Sequence, residues 1–380
     1  MRMRFVIPLV VAAAFLVGPL VVCRTRLPAV AGTHYPAERA SLQQTVQKFV
    51  DAAQVAAPEG LVVACIVPSS PYGLCGDVAG HVYKLLETGQ YDRVIVLSPS
   101  HFSNFHGCSI AAVQTYRTPM GEVVLDGPAV RRITQSTLLS LRSVRYNDVQ
   151  DRTRVHEQEY GIETVLPFLQ TRLGFFRLVP IVVSDLSDHS GKTNEHLIET
   201  VARQLRGIIN DRTLVVVSSD FTHHGNAYSY RPFRQNVLEG VEQLDKEAFG
   251  YILNRDYRGF QAYLERTRNT IYGQAAIGVL LKLLPEGARG HMLAYDISAR
   301  KTKDLTNAVG YGAIAFIDPT RPVATPNPAA ALPPPRSDAP PLLPHSGTQS
   351  TAPAAPPTAA PPSPAASPHR GSGPPLLTPR

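Results

Sequence analysis

Thr213-Leu-Val-Val-Val-Ser-Ser-Asp-Phe-Thr-His-His-Gly225 is the stretch of this 380-residue chain from which its fold can be read. Val215 to Val217 is an unbroken β-branched run, whereas a half-exposed strand would alternate apolar and polar residues. It therefore predicts a strand buried on both faces of a parallel sheet. Ser218, Ser219, Asp220, His223 and His224 follow at once, closed by Gly225. In open α/β sheets the crevice beyond the carboxyl ends of the strands is where ligands bind. One acid and two imidazoles are thus expected at the mouth of a site.

Working outward, Pro36 to Val55 has apolar residues at helical spacing (Leu42, Val46, Phe49, Val50). Leu61 to Val67 reads as a strand ending at Pro68-Ser69-Ser70-Pro71-Tyr72, with a helix from Asp77 to Leu86. Val94 to Leu97 is a second buried strand, ending in Ser98-Pro99-Ser100-His101, and Ile110 to Val113 a third candidate. Leu178 to Val183 and Leu214 to Val217 continue the set, separated by helical patterns at Ile162 to Leu173 and His196 to Ile209. This alternation predicts an α/β fold, a mostly parallel sheet with helices on both faces. Parallel strands put Ser69 and Ser70, Ser98, Ser100 and His101, and the Ser218 to His223 group on one edge.

A further contributor is Val155 to Glu163, where His156, Glu159 and Glu163 recur at helical spacing and are expected on one face. That spacing would aim His156 and Glu159 at the same cleft, although Glu159 and Glu163 also read as capping or solvated helix residues. Ser218, Ser219 and His223 suggest a hydrolase triad, but no G-x-S-x-G elbow supports one.

The two ends read differently from the middle. Arg2 and Arg4 precede an apolar run from Phe5 to Val22, followed by Cys23, Arg24 and Arg26. This is a signal peptide or an N-terminal membrane anchor over residues 1–31, with Ala29-Val30-Ala31 as a small-x-small cleavage pattern and Val22 a poor neighbour for lipidation of Cys23. From Asp318 the chain is rich in Pro, Ala and Ser and cannot bury enough surface to offset its ordering entropy, so 318–380 is expected to be a disordered tail. Residues 32–317 remain as a single domain. The net charge of +7 is spread along the chain, so no nucleic-acid partner is expected. Cys23, Cys65, Cys75 and Cys108 lack zinc-site spacing. In an exported domain Cys65 and Cys75 could pair, the alternative for Cys65 being a small buried hydrophobe.

Several short motifs fall in one order: Ala31-Gly32-Thr33-His34-Tyr35-Pro36, Ser98-Pro99-Ser100-His101, Thr118-Pro119-Met120-Gly121, Glu163 with Leu166-Pro167-Phe168, Ser218-Ser219-Asp220-Phe221-Thr222-His223, and Ile277-Gly278-Val279-Leu280-Leu281. In this the chain resembles the Memo family, the B component of the AmmeMemoRadiSam set, from Gly32 to Phe316. The resemblance implies a fold similar to class III extradiol (LigB-type) dioxygenases, with a metal site at the strand ends. It implies ligands from P-H-A-G-Y, from the first histidine of P-S-H-H and from the cysteine of C-G-x-x-P-I, beside the acid and histidine of S-S-D-F-x-H. Here those ligand positions hold Ser69, His101 and Tyr272, and the related E-H-S-x-E stretch reads Glu159-Tyr160-Gly161-Ile162-Glu163. Only His101 of the three keeps its donor.

Soft or borderline metals need thiolate or imidazole donors, so a degenerate metal site is expected, with no cofactor. The function expected is that of an exported binding or scaffold protein of the bacterial periplasm or cell envelope, taking a small-molecule or protein ligand at the cleft. The membrane is a partner only if the leader stays uncleaved. The alternative is a redox enzyme in which His101, Asp220 and His223 hold iron or copper, Tyr272 adds a phenolate, and His156 or Glu159 moves protons.

Overall fold

The computed structural model describes residues 25–56, 59–141, 155–188 and 193–323. The apolar leader and nearly all of the Pro-rich tail lie outside the described residues. The strands in chain order are β1 (Thr25–Arg26), β2 (Leu61–Val67), β3 (Arg93–Pro99), β4 (Cys108–Ile110), β5 (Thr115–Thr118) and β6 (Gly121–Val124). They are followed by β7 (Leu139–Leu141), β8 (Arg177–Val183), β9 (Thr213–Ser218), β10 (His223–Gly225), β11 (Arg289–Ile297) and β12 (Asn307–Asp318).

Among the described residues the main sheet runs β10-β12-β2-β9-β3-β8-β4-β7, with β11 also paired to β12. Its centre, β2-β9-β3-β8, is parallel, as the apolar runs predict. The flanks are not: β12 is antiparallel to β2, β10 and β11 are antiparallel to β12, and β4 is antiparallel to β8. The sheet is therefore mixed. The strand expected at Ile110 to Val113 ends at Ile110 and lies on the antiparallel flank. A separate small sheet joins β1, β5 and β6.

Every residue of β2 and β9 is buried, which requires cover on both faces of the sheet. One group of helices, Arg39–Ala52, Tyr72–Lys84 and Gly161–Leu173, packs together. A second group comprises Glu195–Arg206, Val237–Leu253, Tyr257–Thr267 and Gln274–Leu283. Glu38 caps the first helix by accepting from the N–H groups of Ala40 and Ser41 (3.0 and 2.7 Å), and Asn194 caps Glu195–Arg206 in the same way.

The sheet register sets up the site. Val67 stands beside Ser218, and Leu97 beside Val217, so β2, β9 and β3 stop in line and their polar extensions emerge on one edge. The described fold begins at Thr25 rather than Gly32, because β1 pairs with β5 and Arg26 is buried. Cys65, Cys75 and Cys108 are all free and buried, so the Cys65 to Cys75 pairing does not form. The Cys75 thiol donates to the carbonyl of Ser70 at 3.1 Å instead.

Candidate functional site at the strand ends

Asp220 ties two strand ends together. Its Oδ1 accepts from the Ser69 N–H (2.9 Å) and its Oδ2 from the Ser70 hydroxyl (2.6 Å). A carboxylate that receives both bonds at a strand end is fixed in place, whatever else it does. Ser218 and Ser219 are committed elsewhere: Ser218 donates to the Gly161 carbonyl and Ser219 to the Asp220 carbonyl, each at 2.7 Å. No serine to His223 bond forms, and the hydrolase arrangement is absent among the described residues.

His101 is held by Glu159. Its Nδ1 donates to Glu159 Oε1 at 2.7 Å, and its backbone N–H donates to Oε2 at 2.8 Å. Burial opposes a charge on both partners. For His101 the carboxylate outweighs burial and the histidine is raised above its usual range; for Glu159 the imidazole and the N–H groups of His101 and Gly161 outweigh burial and the acid is lowered. Both shifts favour the imidazolium–carboxylate form of the pair, and His101 Nδ1 is committed to Glu159, which leaves its Nε2 free of that bond. A carboxylate behind a histidine in this way sets both its tautomer and its orientation.

His223 is arranged to be neutral instead. Its Nδ1 donates to the carbonyls of Phe221 (2.8 Å) and Thr270 (3.1 Å), which makes Nε2 an acceptor. Burial lowers its basicity, partly offset by Asp220, so it stays neutral. Aromatic rings close the space between these groups. Tyr272 stacks on His223 at 4.3 Å and stands edge-on to His101 at 5.8 Å. Tyr160 stacks on the other side of His101 at 4.4 Å, His34 lies 4.8 Å from Tyr160, and Tyr228 sits edge-on to His223 at 4.9 Å. Burial raises the hydroxyls of Tyr272 and Tyr228, the latter to about 12, so both remain phenols.

His156 does not reach this cleft. The helical run breaks at Glu159 and Tyr160, between the short helix Val155–Gln158 and the helix Gly161–Leu173, so the three spaced residues face three different partners. His156 Nδ1 meets the Tyr116 hydroxyl at 2.8 Å and its Nε2 meets Ser109 Oγ at 3.2 Å. Burial, then nearby Arg26, depresses it to about 4. Both ring nitrogens are engaged by these two hydroxyls, away from His101 and Asp220. Glu163 is neither a cap nor solvated: it is fully buried, ion-paired with Arg26, and accepts from the Tyr35 hydroxyl and from the N–H groups of Ala29 (2.7 Å) and Val30 (3.0 Å). His224 points away from the cleft toward Phe233.

His34, Tyr160 and Tyr228 join the site without having been singled out. His34 and Tyr160 sit inside motif stretches, but only the tertiary contacts, Tyr160 on His101 and His34 on Tyr160, bring them to the site. For Tyr228 the chain carries no local signal.

Iron or copper on this donor set would need His101, Asp220 and His223 to converge. Among the described residues no three His, Cys, Asp or Glu side chains are grouped so that they could hold a metal ion. Both Asp220 oxygens already accept hydrogen bonds, and the Tyr272 ring lies against both imidazoles. The residues as arranged do not fit the metal.

A family profile described as Memo-like protein matches residues 26–315. Protein memo-1 homolog of Caenorhabditis elegans is 31% identical over 68% of this chain and 71% of that protein. Protein MEMO1 of Homo sapiens is 28% identical over 70% of this chain and 86% of its own length. A MEMO1 family protein of Nitrosopumilus maritimus is 27% identical over 77% of this chain and 99% of its own length. A crystal structure of an uncharacterized Escherichia coli K12 protein aligns with 66% of this chain and 98% of its own at 9% identity, with a TM-score of 0.37 too low to bear on the fold.

Proposed function

The chain belongs to the Memo-like protein family, and from that premise we propose that it is an exported member with a degenerate metal site, a binding or scaffold protein rather than a redox enzyme. The observation that carries this reading is Tyr272, whose ring is stacked 4.3 Å from His223 and edge-on 5.8 Å from His101. A phenol that burial keeps protonated is a poor donor for iron or copper, and Ser69 brings a hydroxyl where the resemblance calls for an imidazole.

What the cleft offers instead is recognition. His101, anchored at Nδ1 by Glu159, presents Nε2, His223 presents an acceptor at Nε2, and Tyr160, Tyr228 and Tyr272 supply flat apolar faces with polar tips. That set complements a small ligand carrying an acceptor and a donor on a planar body. A second reading is a redox enzyme with iron or copper on His101, Asp220 and His223. It is favoured by one feature: both imidazoles anchor Nδ1, leaving Nε2 available.

Elemental analysis separates the two. The chain is purified without a histidine tag and incubated anaerobically with iron(II) or copper(I). The expected result is metal far below one ion per chain. Near-stoichiometric metal, lost in His101→Ala or His223→Ala, would sink the binding-protein reading and support the redox enzyme.

A further inference from the structure

The residues just behind the apolar leader are built into the core. The Arg26 guanidinium pairs with the fully buried carboxylate of Glu163, and also donates to the carbonyls of His156 (2.8 Å) and Glu159 (2.6 Å). It lies 5.4 Å from the centre of the Tyr116 ring. Glu163 in turn gathers the N–H groups of Ala29 and Val30 and the hydroxyl of Tyr35, so one carboxylate fastens the chain from Arg26 to Tyr35. The Glu159 carbonyl that Arg26 holds belongs to the same residue whose side chain orients His101.

A signal peptidase cuts the extended chain before it folds, so burial does not itself protect Ala31. The consequence falls on the product. A chain starting at Gly32 would lack Arg26, Ala29 and Val30, and would have to bury the Glu163 carboxylate with Tyr35 as its one remaining partner of those four. Removing one member of a buried ion pair is among the most destabilising single changes known. Ahead of Arg26, the pair Ala12 and Ala14 has small-x-small spacing but sits inside the apolar run, where a cleavage site does not fall.

We infer that the leader is retained and that this protein is tethered to a lipid bilayer through Phe5 to Val22, with Arg26 locking the tether to the domain. Three residue steps separate Val22 from Thr25, and an extended chain spans at most about 3.5 Å per residue, so Thr25 can lie no farther than roughly 10 Å from the end of the apolar run. The inference is independent of what the strand-end cleft binds.

The full chain expressed in a bacterial host tests this by fractionation and intact mass. The expected result is a chain of 41.3 kDa, the mass of all 380 residues, that stays with the membranes after an alkaline carbonate wash. A soluble, exported chain starting at Gly32, or at any residue after Val22, overturns the inference. In the same membranes, Arg26→Ala is expected to make limited proteolysis of the domain at least tenfold faster. Unchanged protease resistance would show that Arg26 locks nothing and would overturn it equally.

Discussion

Asp245 makes the stability of this domain depend on pH in an unusual direction. It is completely buried, accepts from the Thr222 N–H (2.9 Å), the Thr222 hydroxyl (2.5 Å) and the Tyr295 hydroxyl (2.7 Å), and has no ion-pair partner among the described residues. Burial pushes its carboxyl up to about 6 from an ordinary 3.8, in spite of those three bonds. Between these two values the folded protein holds a proton that the unfolded chain has released. Stability therefore falls as pH rises from 3.8 through about 6, and the loss is complete above that window. The gap, 6 − 3.8 or about 2 units, corresponds to about 3 kcal/mol at 1.36 kcal/mol per unit. Asp245→Asn keeps an acceptor toward Thr222 and removes the charge. Urea unfolding of both proteins is the assay. The advantage of the variant over the wild type is expected to grow by up to about 3 kcal/mol between about pH 4 and pH 7.5. His156 acts in the opposite sense, since burial lowers it from 6.5 to about 4 and its contribution is lost as pH falls through that range. The subtraction of wild type from variant cancels it. A difference that is the same at both pH values would refute the reasoning.

Two further outcomes follow from the cleft. Glu159→Gln removes the carboxylate that raises His101, so the His101 imidazole is expected to titrate at lower pH by NMR; an unmoved titration would show that Glu159 does not control it. Gly161→Ala would drive a methyl group into Ser98 Oγ and to 3.2 Å from Ser218 Oγ, and is expected to cost about 1–3 kcal/mol in urea unfolding. Ser98→Ala added to it should recover part of that loss, and full tolerance of Gly161→Ala alone would mean that the helix and the strand ends are not in close contact.

The centre of the sheet could be read from Val62, Val94 to Val96 and Val215 to Val217, because continuous β-branched runs have one comfortable environment, a strand covered on both faces. That Ser70, His101, Asp220 and His223 lie along one edge of the sheet followed from parallel strands alone. What periodicity could not reveal was the break at Tyr160, which lets Gly161 approach Ser98 and sends His156, Glu159 and Glu163 to three separate partners. Spacing describes a helix but not where it stops. Arg26 looked like a flanking charge of the leader because its partner Glu163 is 137 residues away. The antiparallel flanks were equally hidden, since an apolar strand such as β12 carries no mark of its direction.

The position of β12 has a consequence for how the chain is made. Among the described residues the last strand in the chain, Asn307–Asp318, is an interior member of the sheet, between β10 and β2, and β2 is the first of that sheet's strands. Until β12 arrives, β2 presents an unpaired edge of seven consecutive apolar or small residues. Closure over so long a loop is slow, and this pairing cannot form until nearly the whole domain has been made. Such a delay is what the export proposed above would need, since a polypeptide is threaded across a membrane before it folds, and it leaves the β2 edge open to mispairing until β12 arrives.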